Sequence, residues 1–148
     1  MCFSFTIRNS QLEDIEKVYE IERESFPYPY SPWDFQYYLE VEGEFFLVAE
    51  WEGEVVGYIV GSLWKDLLTI VSLAVKPSYR RRGIGTALIK ELEKRVHGKA
   101  KRIELQVRVS NYPAIYLYEK LGYEREGKIS RYYRNGEDAY LYYKNLEE

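Results

Sequence analysis

The stretch that decides the fold lies at residues 72–88 and reads Ser-Leu-Ala-Val-Lys-Pro-Ser-Tyr-Arg-Arg-Arg-Gly-Ile-Gly-Thr-Ala-Leu. Its apolar start predicts a buried strand, and a helix then opens on Gly83 and Gly85. Glycine lets the backbone approach a ligand closely, and the free amides and dipole at a helix start bind anions. With three arginines as countercharge, the stretch predicts a site for a phosphate or pyrophosphate.

The spacing of its glycines distinguishes this turn from two other phosphate-binding motifs. The pattern G-x-x-x-x-G-K-S/T of a nucleotide-binding P-loop is absent. The pattern G-x-G-x-x-G also fails, because Leu88 stands where the third glycine would be. The remaining alternative is a solvated basic turn before an ordinary helix, since glycine-rich turns are common.

Length and composition narrow the class of protein. At 148 residues, 46% of them hydrophobic, we expect residues 1–148 to form a single domain with a real core. The formal net charge of -3 disfavours nucleic-acid binding, which usually requires a basic domain. The single cysteine, Cys2, forms no internal disulfide and no metal cluster, which indicates a reducing, cytoplasmic compartment. We expect no signal peptide and no membrane span, because no apolar stretch is long enough.

Periodicity along the chain predicts helices and strands in alternation. A strand–helix–strand unit over residues 67–107 implies a right-handed crossover, and therefore a parallel pair inside a mixed sheet. Ser10 and Glu13 have the spacing of a capping box for a first helix with Leu12 on its apolar face, and Ser31 opens a second helix. The predicted strands are Phe3–Arg8, Phe45–Trp51, Val55–Leu63, Leu67–Val75, Ile103–Val107, Tyr123–Tyr133 and Asp138–Asn145, and the later helices are Arg82–Val96 and Pro113–Leu121.

Three motifs, in order along the chain, resemble those of the GNAT acetyltransferase superfamily. Arg80–Gly85 matches its Q/R-x-x-G-x-G/A signature, and Ser110–Tyr123 is similar to its S-N-x-x-A-x-x-L-Y-x-x-L-G-F/Y. Tyr132–Ala139 resembles the Y-Y-x-x-G-E-D-A of the RimI-like branch, whose members acetylate protein N-termini. The resemblance covers about Phe3 to Leu146 and implies the α/β GNAT fold. In that fold a mixed, mostly antiparallel central sheet contains a splayed parallel pair and is flanked by about four helices.

The resemblance also assigns residues to the co-substrate acetyl-CoA, without a metal. The backbone amides of one turn hold the CoA pyrophosphate in this superfamily; the matching residues are Arg80, Arg81, Arg82, Gly83, Ile84 and Gly85. The strand before the turn pairs its backbone with the pantetheine arm, which points to Leu73, Ala74 and Val75, whose side chains are ordinary core. Asn111 resembles an asparagine near the CoA in related enzymes, and it equally suits the N-cap of a helix.

Two residues receive catalytic roles from the resemblance. Tyr118 matches a tyrosine near the thioester sulfur, and a phenol can protonate the departing thiolate, so Tyr118 is the predicted general acid. The backbone amide of Leu73 would face the thioester oxygen and stabilise the oxyanion.

The general base is not assigned by the sequence. An N-terminal amine has a pKa of about 8 and must lose a proton before it attacks. Relatives place a glutamate or histidine where this chain has Gln106, and others a glutamate where it has Tyr28. Gln106 can orient a water but cannot accept a proton. Strand alternation places Glu104 on the same face as Gln106. Glu104 could be the general base, acting directly or through a water; the alternative is an exposed strand residue without a catalytic role. The lone His97 is expected to be a helix-dipole partner.

Aromatic residues in two segments complete the predicted site. One segment resembles the proline-bearing loop between the first two helices of N-terminal acetyltransferases, and its matched residues are Phe26, Pro27, Tyr28 and Tyr30. The other resembles the tyrosines of the facing hairpin, Tyr132 and Tyr133. The resemblance implies that they clamp the first residues of an acceptor peptide. The alternative is a set of exposed aromatic rings that pack loop on hairpin.

The function implied is transfer of acetyl from acetyl-CoA to the α-amine of protein N-termini, ribosomal proteins among them, by direct attack in a ternary complex. Cys2 stands at the start of the chain and is not placed to form an acyl-enzyme. The alternatives are a GNAT enzyme acting on lysine or a small-molecule amine, and a non-catalytic CoA-binding module. An RNA-binding domain using Arg80–Arg82 is disfavoured by the acidic net charge. The oligomeric state does not follow from the sequence.

Overall fold

The computed structural model describes residues 4–146, and its element order is the one that the sequence predicts. The strands are β1 Thr6–Asn9, β2 Phe46–Trp51, β3 Glu54–Trp64, β4 Leu67–Val75, β5 Arg102–Arg108, β6 Glu124–Ile129 and β7 Ala139–Asn145. The α-helices are α1 Ile15–Ser25, α2 Pro32–Glu42, α3 Ile84–Val96 and α4 Tyr112–Lys120. No helix within residues 4–146 is both long enough and apolar enough to cross a membrane.

The strands form one mixed sheet in the order β1-β2-β3-β4-β5-β7-β6. The pairs β1–β2, β2–β3, β5–β7 and β6–β7 are antiparallel, whereas β4 and β5 are parallel. The parallel register joins Leu67–Thr69 to Arg102–Glu104, and the rest of β4 lies beyond it. The predicted α/β class, with a mostly antiparallel sheet, a splayed parallel pair and four helices, is confirmed.

The chain divides into two compact units. The first comprises the residues up to Ser62 together with Val71–Val96, and the second comprises Leu63–Ile70 together with the residues from His97 onward. Strand β4 therefore contributes residues to both units. The single domain expected over residues 1–148 remains a prediction.

In the first unit, helices cover a strongly apolar group of strands. Helices α1 and α2 pack on each other, α2 packs on β2, and α3 packs on β1 and β2. The helical spacing predicted for α3 is confirmed, because Ile84, Leu88, Leu92 and Val96 are all buried. On α1 the residues Ile15, Val18 and Ile21 are buried as predicted, but Leu12 is 61% exposed because it lies in a separate 3₁₀ turn, Leu12–Asp14.

In the second unit, β5 supplies one buried and one half-buried face. Its buried residues alternate at Ile103, Leu105 and Val107. The alternation arises because successive side chains of a strand point to opposite faces. Other buried residues of this unit include Leu68, Ile70, Ile115, Tyr118, Tyr123, Ala139 and Tyr142.

Two local predictions are wrong. The capping box expected at Ser10 and Glu13 lies one residue later, where Asp14 accepts a hydrogen bond from the Gln11 amide at 2.8 Å. Asp14 is also held by the Arg8 guanidinium at 2.7 Å, which favours it over Glu13. The strand predicted to run to Tyr133 ends at Ile129, and Arg131 soon after it has left-handed backbone, with φ 52°.

Candidate active site

The turn before α3 has the backbone geometry of an anion site. Arg81 and Gly83 both have left-handed φ values, 63° and 83°, and α3 begins at Ile84. The first amides of any helix lack acceptors within the helix, so they are free to bind an anion. A Cβ built on Gly83 would meet nothing within 4 Å, so the space beside the backbone is open. The turn therefore fits the diphosphate of acetyl-CoA.

Close packing at Gly57 holds this turn against the sheet. A Cβ at Gly57 in β3 would lie 3.2 Å from the Ala74 carbonyl oxygen and 3.3 Å from the Ile84 side chain. Both distances are tighter than most side-chain contacts, so a Cβ at this position would push against Ala74 and Ile84. The backbone amide of Lys76 also donates to the Val56 carbonyl at 2.8 Å. Together these contacts fix the end of β4 and the first residue of α3.

The three arginines of the turn are exposed, and two of them also contact the protein. The Arg80 Nε donates to the Val75 carbonyl at 3.0 Å and so braces the end of β4. The Arg82 guanidinium lies over the rings of Trp51 and Tyr79, 5.3 and 5.6 Å from their centroids. Such stacking orders an arginine without neutralising it. The contacts of Arg80 and Arg82 thus help to fix the shape of the turn.

Strand β4 places alternate residues in the core before this turn. Ser72 and Ala74 are buried, while Leu73 and Val75 are half-buried. Residues 73–75 lie beyond the register with β5, which ends at Thr69. On that side, their backbone groups are outside the ladder. This geometry suits the backbone roles predicted for Leu73, Ala74 and Val75.

The proline-bearing segment Phe26–Tyr30 links α1 to α2. Phe26 packs against the core of the first unit, whereas Tyr28 and Tyr30 are 46% and 39% exposed. The Tyr30 ring makes edge contacts with Phe35 and Tyr38, with centroids 6.2 and 6.4 Å away. The loop is therefore anchored by Phe26 and Tyr30, while Tyr28 and Tyr30 remain partly exposed.

A buried polar cluster beneath this loop was missed from the sequence. Glu22 of α1 accepts hydrogen bonds from the hydroxyls of Tyr58 and Ser72. The signal was available, because Glu22 continues the apolar spacing of Ile15 and Val18, where a carboxylate is out of place. Ser72 likewise occupies a core position in the alternation of β4.

Tyr118 lies in the second unit, on α4, and is only 4% exposed. Its ring meets Tyr123 edge-on, with centroids 5.3 Å apart. Burial raises the pKa of Tyr118 above its ordinary value, so the phenol keeps its proton at neutral pH. This state suits a proton donor. Asn111 caps α4, because its side-chain oxygen accepts from the Ala114 amide at 3.3 Å.

Glu104 and Gln106 share the half-buried face of β5. The Glu104 carboxylate accepts from the Arg102 Nε at 2.8 Å, so it is paired rather than an isolated exposed glutamate. Arg102 also pairs with Glu126 at 2.6 Å and lies 4.1 Å from the Tyr143 ring centroid. The role of Glu104 as general base and the role of Gln106 in orienting a water remain predictions.

Tyr132 and Tyr133 lie in the connection of residues 130–138 between β6 and β7, and not in a strand as predicted. Their rings meet edge-on, 5.0 Å apart. The Arg108 guanidinium lies 3.9 Å from the Tyr133 ring centroid. Burial raises the pKa of Tyr133 to about 12, although Arg108 favours the phenolate, so this tyrosine is neutral at working pH.

Glu137 fastens this connection to the start of α4. Its carboxylate accepts from the amide of Ser110 at 3.0 Å, from the Ser110 hydroxyl, and from Arg108 at 3.1 Å. The Ser110 hydroxyl, together with the other donors, holds the pKa of Glu137 below its ordinary value. Glu137, which belongs to the motif Tyr132–Ala139, therefore has a structural role that the sequence did not indicate.

Each unit brings together its own share of the predicted residues. The first holds the loop Phe26–Tyr30, the end of β4 and the turn Arg80–Gly85; the second holds Glu104, Gln106, Asn111, Tyr118, Tyr132 and Tyr133. Cys2 lies outside the described residues. Between residues 4 and 146, no three histidine, cysteine, aspartate or glutamate side chains are grouped as a metal site.

Comparison with known proteins supports this description over nearly the whole chain. The chain is 42% identical to an N-alpha-acetyltransferase of Sulfurisphaera tokodaii, over 93% of its own length and 90% of the relative's. The crystal structure of Ard1 from Thermoplasma volcanium matches with a TM-score of 0.92 and 31% identity, covering 97% of this chain and 99% of that one.

A second solved structure bears on the branch. The ribosomal-protein-S18-alanine N-acetyltransferase from Escherichia coli matches with a TM-score of 0.82 and 30% identity, covering 98% of this chain and 96% of that one. The sequence profile of the Acetyltransferase (GNAT) family matches residues 15–123. The chain belongs to the Acetyltransferase (GNAT) family, and the predicted membership is confirmed.

Proposed function

We propose that this protein transfers the acetyl group of acetyl-CoA to the α-amine of protein N-termini. The observation that carries the proposal is the turn Arg80–Gly85, with left-handed backbone at Arg81 and Gly83 and a helix that opens directly after them. It belongs to a chain whose N-alpha-acetyltransferase relative matches it nearly end to end. Ribosomal proteins are one class of acceptor that the Escherichia coli neighbour supports, and the cytoplasm is the compartment we propose from the single cysteine.

Binding of the donor is a backbone function in this proposal. The amides of residues 81–85 hold the diphosphate, because helix-start amides and the helix dipole favour anions. Arg80, Arg81 and Arg82 add positive charge without being the principal ligands. The backbone of Leu73, Ala74 and Val75 pairs with the pantetheine arm, and Asn111 contributes from the α4 start.

Acetyl-CoA supplies an acetyl group that is already activated as a thioester. The Leu73 amide donates a hydrogen bond where negative charge develops on the thioester oxygen, which lowers the barrier. The amine attacks directly, so no covalent acyl-enzyme is required. Glu104, with Gln106 orienting a water, is the candidate to take up the amine proton.

Tyr118 returns a proton to the thiolate that leaves. Its raised pKa means that it holds this proton throughout the neutral range. We expect Tyr118→Phe to lower kcat about a hundredfold, a usual loss when a general acid is removed. CoA affinity, measured by calorimetry, should change less than about twofold, because the ring remains in place. An unchanged kcat would remove the proton-donor role.

The family resemblance implies an acceptor-binding role for two aromatic segments, and we propose that role for each of them separately. They are Phe26, Pro27, Tyr28 and Tyr30 in the first unit, and Tyr132 and Tyr133 in the second. Aromatic rings with hydroxyl tips can hold a peptide backbone through both apolar contact and hydrogen bonds.

The deciding experiment is mass spectrometry of peptides incubated with the protein and acetyl-CoA. Each peptide carries one internal lysine and exists in two matched forms, with a free and with a blocked α-amine. We expect one acetyl group on the α-amine of the free form and none on the blocked form. Acetylation of lysine in both forms would assign the chain to lysine or small-amine transfer. Tight CoA binding without acetylation of any amine would assign it a non-catalytic role.

A further inference from the structure

Glu22 is a charged residue in an apolar place. It lies on α1 beside Ile21 and one turn from Val18, both of which are buried, and it is itself only 2% exposed. Burial of an ionised carboxylate is costly unless hydrogen bonds replace the lost water. A glutamate at such a position therefore requires hydrogen-bond partners within the protein.

The Glu22 carboxylate accepts three hydrogen bonds from neutral donors. Its Oε1 accepts from the Tyr58 hydroxyl and from the Ser72 hydroxyl, the latter at 2.6 Å, and the two hydroxyls lie 3.1 Å apart. Its Oε2 accepts from the Tyr30 amide at 3.1 Å. Burial and the neighbouring Glu22 raise the pKa of Tyr58 well above its ordinary value, so this phenol remains a donor.

These contacts join both ends of the loop Phe26–Tyr30 to one residue. The Phe26 amide donates to the Glu22 carbonyl at 3.0 Å, and the Tyr30 amide donates to the Glu22 carboxylate. Glu22 thus holds the backbone amides of Phe26 and Tyr30, so these contacts do not depend on the side chains of the loop. The two prolines between these ends further restrict the chain.

The same carboxylate joins the loop to the sheet. Tyr58 lies on β3, and Ser72 lies on β4 directly before Leu73. The loop and the strand that we propose to hold the thioester thus share one oxygen-centred cluster within the first unit. An apolar side chain at position 22 could fill the space but could not accept from the Tyr30 amide.

We propose that Glu22 is a positioning residue that sets the conformation of the loop Phe26–Tyr30 for binding the acceptor N-terminus. This inference rests on the proposed function for the role of the loop. Glu22 does not touch the acceptor; it acts through the backbone of Tyr30. Its removal should therefore weaken acceptor binding and spare donor binding.

The variants are chosen to separate the effect of losing the hydrogen-bond acceptor of the Tyr30 amide from the effect of replacing the carboxylate. Glu22→Ala removes the acceptor of the Tyr30 amide. Glu22→Gln keeps one oxygen for that amide, and its NH₂ can donate to the hydroxyl oxygens of Tyr58 and Ser72, so it should act as a partial rescue. Glu24→Gln is the matched control, since this substitution makes the same charge change as Glu22→Gln on the same helix but at an exposed position.

Steady-state kinetics with a matched N-terminal peptide provides the first readout. Loss of a hydrogen bond to a carboxylate typically changes an equilibrium constant by roughly tenfold or more. We therefore expect the acceptor KM of Glu22→Ala to rise by at least about tenfold. The KM for acetyl-CoA should stay within about twofold of the wild-type value. Glu22→Gln should be intermediate and Glu24→Gln unchanged. An acceptor KM within twofold of wild type in Glu22→Ala, or an equal rise in both KM values, would overturn the proposal.

Amide exchange of Tyr30, resolved by NMR, provides a readout that needs no activity. The amide should be protected in the wild type and in Glu24→Gln, and it should exchange much faster in Glu22→Ala. If the wild type acetylates no amine, the proposed function fails, and this readout still decides whether Glu22 anchors the loop. If Glu22→Ala does not fold, Glu22→Gln takes its place in both measurements, and an acceptor KM and a Tyr30 amide exchange rate that both equal those of the wild type would overturn the proposal.

Discussion

The loop Phe26–Tyr30 and the connection of residues 130–138 each carry aromatic residues with a proposed acceptor-binding role, yet the carboxylates that anchor the two segments differ. Glu22 is buried and accepts hydrogen bonds from the neutral donors named above. Glu137 is half-buried and receives donors from Ser110 and from the charged Arg108. Glu22 is part of the core, whereas Glu137 lies where water can reach it.

The difference decides how each segment responds to change. Groups left without partners in a core cannot recruit water, so loss of Glu22 leaves costly unpaired donors. Near the surface, water and ions replace a lost partner and screen a charge pair. We therefore expect the loop to be fixed together with the fold, and the connection to be adjustable by solution conditions.

The largest expected effect is on stability when each anchor is removed. Glu22→Ala should lower the free energy of unfolding by about 3 kcal/mol, because it leaves buried donors unpaired and opens a cavity. Glu137→Ala should lower it clearly less. Urea denaturation with an unchanged slope measures both. Equal losses in the two variants would break the comparison.

A smaller effect is expected from one hydroxyl of the buried cluster. Tyr58→Phe should lower the free energy of unfolding by about 1–2 kcal/mol, because Glu22 Oε1 then keeps only the Ser72 donor. Tyr19→Phe is the control, since Tyr19 is half-buried against the same apolar core. A Tyr58→Phe loss no larger than that of the control would show that the cluster contributes little.

The smallest expected effect is a local response to acid at Glu137. Its folded-state pKa is lowered, so its contribution to stability is present above its ordinary value of 4.5 and is lost as pH falls through the lowered folded value. The Ser110 amide, which donates to Glu137, should therefore lose protection as the pH falls below this ordinary value and through the lowered folded value. The Tyr123 amide donates to a backbone carbonyl in the same unit and should stay protected. Equal behaviour of the two amides, after correction for intrinsic exchange, would contradict this assignment.

Local pattern was sufficient for the fold. The apolar run Leu67–Val75 predicted β4 with the correct ends, and helical spacing identified the buried face of α3. The helical signal arises because side-chain periodicity follows directly from backbone geometry. The ends of elements were less certain, as at Ile129, because left-handed backbone at Arg131 has no clear signal in a non-glycine residue.

The anchors of the site depend on contacts that local pattern does not contain. Glu22 meets Tyr58 and Ser72 across 36 and 50 residues of chain, and Glu137 meets Ser110 across 27. Glycine spacing and arginine content predicted the turn Arg80–Gly85 from neighbouring residues alone. A carboxylate whose partners come from other elements can be noticed as an exception to an apolar pattern, but its partners cannot be named.

The account depends most on the amides that open α3, and one NMR measurement tests them directly. The amide resonances of Gly83, Ile84, Gly85 and Thr86 are followed while CoA, or pantetheine without the diphosphate, is added to the full chain. We predict that CoA shifts these resonances and slows their exchange, whereas pantetheine leaves them unchanged. Saturating CoA that leaves these four amides unaffected would contradict the account.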